Sequence, residues 1–504
     1  MKGIVFDDGG VFWWDKEESA ENVLYRIYMN GELVAETEKT HFGAKELIPD
    51  SEYILMAETV GADGCIAKRE NFKFRTKRRK RRIDVTAAPY FAAGDGKTLN
   101  TAALQKALDD CTKDCAVYFP AGIYLSGALR VHSDTEIIIG ENAVLQGTED
   151  PCDYLPKIKS RFEGIERMCY ASLLNIGALC RDKGAVCRNV AIRGGGAVSG
   201  GGRVLAENII ARERTLYNAG ECSPPEGETP EDSFGRARGR LINISNAENV
   251  CIGDLKLTGG PSWNVHMVYS SGIVTYNCKF FSEGVHNGDG WDPDSSENCT
   301  IFGCTFETGD DCVAIKSGKN PEGNKIAKPS KNIEIFDCAS RYGHGIAIGS
   351  EISGGVENVR IWDCNFEYSG NGITIKSQRK RGGYIRGIEV RNCKFSGVLI
   401  QADVKYNADG ESAEELSVLE NFLFENISLT GRCYSMTRDT YRIPAVQIEG
   451  YAQDTGRVKN VRFRNVHISR YSEEDAQVIS VQNAEELTFE NISVAGVQGD
   501  KNER

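Results

Sequence analysis

Apolar and polar residues alternate over short runs that recur along most of this chain. Val313/Ile315, Ile346/Ile348 and Ile373/Ile375 each keep the period of two that belongs to a β-strand. These runs sit in stretches that can be laid over one another: Asp289-Gly-Trp-Asp-Pro-Asp-Ser295, Asp311-Cys-Val-Ala-Ile-Lys-Ser317, His344-Gly-Ile-Ala-Ile-Gly-Ser350 and Asn371-Gly-Ile-Thr-Ile-Lys-Ser377. A second pattern repeats as Asn332-Ile-Glu-Ile-Phe-Asp-Cys338 and Asn358-Val-Arg-Ile-Trp-Asp-Cys364, and again near residues 460 and 487. Cysteines at 278, 304, 338, 364 and 393 step by 26, 34, 26 and 29 residues. A variable step of this size predicts a right-handed parallel β-helix, one coil per repeat, with the insertions in loops. Stacked coils lie about 4.8 Å apart, so residues distant in sequence become neighbours. The first column of the overlay is Asp289, Asp311, His344 and Asn371, which places two carboxylates and an imidazole in one patch.

The fold class is therefore all-β, with a further small β domain at the N-terminus. Residues 1–76 contain the alternating strand Tyr25–Met29 running into Asn30-Gly31, a hairpin turn signal. Leu47-Ile-Pro-Asp-Ser-Glu-Tyr53 is similar to a tyrosine corner, and with Trp13 or Trp14 as core aromatic the segment resembles a fibronectin type III module. Lys77–Arg82 is an unbroken basic run, read with residues 77–85 as a solvated linker. The β-helix then occupies 86–504, opening with an amphipathic helix at Asn100–Leu108 that would plug the end of the solenoid. Residues 203–238, containing Ser223-Pro-Pro-Glu-Gly-Glu-Thr-Pro230, interrupt the pattern and read as one long loop.

Composition narrows the function. The chain of 504 residues carries a net charge of -12, which argues against a general nucleic-acid or anionic-membrane partner. It leaves room for an anionic substrate held by a few local Lys or Arg residues. The start lacks the apolar run of a signal peptide and no 18-residue apolar stretch follows, so a cytoplasmic location is expected. Seventeen cysteines, several in one column, read as stacked buried thiols; none has zinc-ligand spacing, and no metal or organic cofactor is implied.

Asn287-Gly-Asp-Gly-Trp-Asp292, Gly309-Asp-Asp311, Gly343-His-Gly345 and Lys376, in this order, resemble glycoside hydrolase family 28, the polygalacturonases. The resemblance spans roughly residues 86–470 and implies an inverting hydrolase of α-linked galacturonate. By that likeness Asp310 is the general acid, Asp289 and Asp311 hold and deprotonate the water, and His344 tunes a catalytic carboxylate. Three clustered carboxylates cannot all stay charged cheaply, so at least one should keep its proton. Expected substrate contacts are Asn287, Lys316, Lys376, Arg379, Arg381, Tyr406 and His266. Lys316 and Lys376 share a column at outward parity, where an ammonium would meet a uronate carboxylate. His266 reads equally well as a packing residue.

One position departs from the family pattern: Thr374 stands where the family has Arg, removing a bidentate carboxylate clamp. A hydrolase of rhamnogalacturonan or a substituted galacturonan is the alternative this raises. From other classes, a pectate lyase or a non-catalytic carbohydrate-binding solenoid also fits a β-helix. The preferred partner is a pectin-derived oligogalacturonide, attacked from one end if the insertions at 203–238 and 318–330 block the groove.

Overall fold

The computed structural model describes residues 1–16, 23–61, 63–225, 227–406, 409–434, 439–469 and 478–495. The chain divides into two units, residues 1–82 with 114–116, and residues 83–113 with 117–504.

In the first unit an antiparallel three-stranded sheet (Lys2–Val5, Gly9–Trp13, His41–Lys45) and a four-stranded one enclose a single core. Phe12, Trp14, Tyr25, Ile27 and Leu55 fill that core. The Tyr53 hydroxyl accepts a hydrogen bond from the Ile48 amide at 2.9 Å, the tie-back expected of a tyrosine corner. The basic run is not simply a linker. Lys77–Arg79 are exposed, but Arg81–Asp84 is a strand with Ile83 buried, because an apolar residue follows the charges and gives the strand an inward face.

The second unit is the parallel β-helix. Among the described residues its long sheets contain 23 and 11 strands, paired in parallel from coil to coil. The asparagine that opens each repeat sits at a corner in the left-handed region, with φ of +55° at Asn298, +56° at Asn332 and +55° at Asn358. Asparagine tolerates that region and its amide can bond its neighbour: Asn332 Nδ2 donates to Asn298 at 2.9 Å, and Asn358 to Asn332 at 2.7 Å. Inside, Phe302, Phe336 and Trp362 stack at 4.8 and 4.2 Å between ring centres. The cysteine column is buried and free of disulfides.

Thr101–Asp109 forms the expected cap helix, burying Leu104, Ala107 and Leu108. Residues 203–238 are not one loop. Gly202–Asn218 is a helix with Leu205, Ala206, Ile209 and Glu213 on its buried face, and Pro230–Gly235 is a short helix capped by the Thr229 side chain. The i, i+4, i+8 spacing of 205, 209 and 213 was the helical signal. It is obscured because the third inward residue is Glu213, buried only through its bonds to Lys157 at 2.7 Å and to the Tyr170 hydroxyl at 2.9 Å. Among the described residues no helix is long and apolar enough to cross a membrane.

Candidate active site

The eleven-stranded sheet sets the site. Its register pairs Trp291 with Val313, Val313 with Ile346, and Ile346 with Ile373. One residue earlier on each coil is glycine or cysteine, and one before that is Asp289, Asp311, His344 or Asn371. The column drawn from sequence is thus a column in the structure, at the turns entering the sheet. The His344 amide donates to the Asp310 carbonyl and the Asn371 amide to the His344 carbonyl, holding these turns in step. Gly345, at φ +97°, has no room for a side chain: a Cβ there would lie 2.2 Å from the Gly372 carbonyl oxygen.

Two linked groups of charges occupy the patch. In the outer group the His344 Nδ1 is 3.0 Å from Asp310 and 3.7 Å from Asp311, and the Lys376 ammonium is 3.4 Å from Asp311. Asp310 is the most accessible of these carboxylates, with a quarter of its side chain (25%) exposed. Below lies a buried group, in which the Lys316 ammonium contacts Asp289 at 3.0 Å and Asp292 at 2.9 Å. Lys316 also sits 3.6 Å from the centre of the Trp263 ring.

Burial pushes both Asp289 and Asp292 up; the charge of Asp292 raises Asp289 further, while Lys316 opposes both shifts and a hydrogen bond from Asp289 also opposes that of Asp292, which reaches about 7. The pair holds one proton near neutrality, because two buried like charges against a single ammonium are unfavourable. Burial also acts to raise Asp310, but the hydrogen bond and charge of His344 outweigh it and hold the carboxyl at about 2. That same bond raises His344, against the opposing effect of burial. The extra protons therefore sit on His344 and on the Asp289–Asp292 pair, while Asp310 is ionised.

The expected substrate contacts divide. Lys376 borders the groove, 6.0 Å from the centre of the half-exposed Tyr406 ring. Asn287 is partly buried and accepts from the Arg238 guanidinium at 2.7 Å. Lys316 is no surface cation; it is the counter-ion beneath the acids, since the coil before it supplies both Asp289 and Asp292. His266 is fully buried, edge-on to Trp263 at 4.6 Å and 3.4 Å from Asp294, and burial pushes it down to about 3. It offers no surface to a sugar. Arg381 is buried and donates to Asn320 at 2.6 Å, whereas Arg379 turns outward to Asp403 at 3.0 Å and Gln453 at 3.1 Å. Thr374 is buried in the column of Ala347 and Leu399.

A hairpin, Ile158–Phe162 and Ile165–Cys169, packs on the sheet from the coil of Asn243 to the coil that carries Asp289 and Asp292. Ser160 donates to Asn243 at 3.1 Å, Arg161 donates to Asp294 at 2.7 Å and Ser295 at 2.9 Å, and Phe162 packs on Trp263 at 4.8 Å. Its turn is fastened to the following loops: the Lys319 amide donates to the Gly164 carbonyl at 3.0 Å, and Arg236 reaches Glu163 at 2.7 Å. Arg240 lies against both rings, 4.4 Å from the centre of Phe162 and 4.3 Å from that of Trp263. Sequence reasoning missed Asp292, Asp294 and these arginines. The acids had a signal, being charged residues at outward positions of a strand flanked by buried ones; the arginines had none.

Comparison with known proteins agrees with this geometry. Residues 161–436 match the model of glycosyl hydrolases family 28, and residues 85–149 match that of rhamnogalacturonase A/epimerase, pectate lyase-like. An exo-poly-alpha-D-galacturonosidase of Dickeya chrysanthemi is 24% identical over 97% of this chain and 89% of its own length. The family 28 exopolygalacturonase of Yersinia enterocolitica superposes with a TM-score of 0.78 at 21% identity, covering 99% of this chain and 98% of that one. The hyperthermoactive exopolygalacturonase of Thermotoga maritima gives 0.65 at 27% identity, covering 82% and 91%. With its acids, histidine and lysine assembled on a parallel β-helix, this chain belongs to glycosyl hydrolases family 28.

Proposed function

We propose that the enzyme removes galacturonate units from one end of α-linked galacturonate oligomers, by direct attack of water and inversion at the anomeric carbon. The observation that carries the exo reading is the hairpin at 158–169, which packs on the sheet beside the acids through Ser160, Arg161 and Phe162, and which we take to close the groove there. The insertions at 203–238 and 318–330 brace the hairpin, through Arg236, Lys319 and Glu322, whose carboxylate accepts from the Glu166 amide at 3.0 Å. A groove closed beside the acids admits a chain terminus and excludes a chain interior. The Dickeya and Thermotoga relatives, named for exo-acting galacturonan hydrolysis, support the same reading.

In this mechanism Asp310 faces the leaving oxygen and delivers the proton, with His344 as its reservoir. The pair shares one proton, resting on the imidazole until a substrate displaces water and favours the neutral pair. Asp289 and Asp311 flank the attacking water. Because Asp289 and Asp292 retain a proton between them, Asp289 orients the water and Asp311 accepts its proton. Lys376 and Tyr406 border the groove where a uronate carboxylate and ring would lie.

The direct test is digestion of a defined trigalacturonate, following products and the first-formed anomer. Release of one terminal unit with inverted configuration is expected; no release from any chain length would refute the assignment. Trimming the hairpin to a short turn should open the groove, so that polymer viscosity falls many times faster per bond cleaved. An unchanged ratio would mean that the hairpin does not set the mode of attack.

The shared proton also fixes a pH dependence. His344 is raised above its ordinary 6.5, so the proton is present below that raised value and lost as pH climbs through it. The basic limb of kcat/KM should therefore lie above pH 6.5. In His344→Gln the proton must reside on Asp310 itself, and the limb should move down into the carboxylic-acid range. A basic limb unmoved by the substitution would sever His344 from proton delivery.

A further inference from the structure

On the other side of the hairpin the same sheet floors a second cavity of about 570 Å³. Its floor is the outward column Arg130, Asn175 and Asn243, in register on three successive coils. The column continues through His266 to Asp292 of the buried acid pair, so Asn243 lies two coils, about 10 Å, from the catalytic cluster. The walls are the hairpin's entry, Leu155–Lys159, the last turn of the cap helix at Gln105 and Asp109, and His132. Ser160, bonded to Asn243 on the floor, closes the partition between the two cavities.

The lining has the composition of a site for an acidic sugar. Arg130 and Lys159 project into the cavity rim in a protein whose net charge is -12. The Arg130 guanidinium makes no ion pair among the described residues; the nearby Asp109 is engaged by His132 at 2.8 Å and by Gln105. Lys159 pairs with Glu166 at 3.0 Å while 54% exposed, a contact weak enough to exchange for a ligand carboxylate. Leu155, Pro156 and Leu179 supply an apolar flank of the kind against which a sugar ring packs its C–H face. Asn175, by contrast, has its amide fully used by the Leu129 and Ser172 backbone and serves as fixed floor.

We propose that this cavity is a second, non-catalytic binding site for a uronate-bearing oligosaccharide, with Arg130 and Lys159 taking the carboxylate. It lies on the track of the substrate groove but is cut off from it by the hairpin, so it holds a separate chain end or a second stretch of the same polymer. The choice of ligand rests on the galacturonate reading of the active site, and the two fail differently: loss of that reading abolishes turnover by the unmodified enzyme, whatever happens here.

The test uses the full chain with Asp310→Asn, so that ligand survives, and titration calorimetry with trigalacturonate. Two sites per chain are expected, falling to one when Arg130→Ala and Lys159→Ala are added, with the lost site weakened about tenfold or more. Ala178→Trp, which fills the rim without touching a charge, should also remove it. The neutral galactose trimer of the same linkage should not occupy it. One site in the parent protein, two sites persisting in both variants, or equal binding of the neutral trimer would each overturn the proposal.

Discussion

Replacing Asp310 with asparagine will leave a folded protein whose turnover has dropped between about a hundred- and ten-thousandfold, the usual worth of a positioned proton donor. Asparagine keeps the shape and still accepts a hydrogen bond from His344 at this partly exposed position, so the fold should survive, with the melting temperature lowered by loss of the ion pair. What disappears is the proton for the leaving oxygen. A galacturonosyl fluoride needs no such proton, because fluoride departs unaided. The deficit of the variant should therefore shrink sharply on the fluoride while remaining full on trigalacturonate. Asp311→Asn provides the contrast: its role is at the water, so its deficit should persist on both substrates. An Asp310→Asn penalty equal on the two substrates would reassign the proton donor.

Much of this arrangement is legible in the sequence because a β-helix converts periodicity into proximity. The spacing of Val313, Ile346 and Ile373 fixes the register, and the register alone brings Asp289, Asp311 and His344 to adjacent rungs. The asparagine corners and the cysteine stack follow from the same repeat. What escaped was set by pieces outside the repeat. Arg161 meets Asp294 across 133 residues, and Ser160 meets Asn243 across 83, with no periodic signal marking the hairpin that carries them. Lys316 shows the consequence most clearly. Strand parity correctly points it outward from the coil, but outward there means under the hairpin and against Trp263, so a residue that looks like a substrate contact is a buried counter-ion. Parity reports which face a side chain takes; only long-range packing decides whether that face is wet.

That burial gives Lys316→Met the largest stability effect of any single change in the site. Methionine matches the aliphatic stem and can still pack on Trp263, so little volume is lost. It removes the ammonium that contacts both Asp289 and Asp292 directly, at 3.0 and 2.9 Å. Deleting one partner of a buried ionic group costs about 3–5 kcal/mol, because the charge left behind has no compensation. The sign of the pH dependence follows. Both carboxyls are already raised above their ordinary value by burial, and without Lys316 they rise further. A carboxyl raised in the folded state is tolerated while protonated and destabilises as pH climbs through and beyond the unfolded value. The gap in melting temperature between the variant and the parent should therefore stay narrow and flat while both acids are protonated in either protein, and widen as pH climbs through about 7, where Asp292 ionises in the parent. A gap independent of pH would mean that Lys316 acts through packing alone. In that case the two carboxylates beneath the active site would have to be neutralised by another route, and Asp289 would lose the partner that tunes it for holding water.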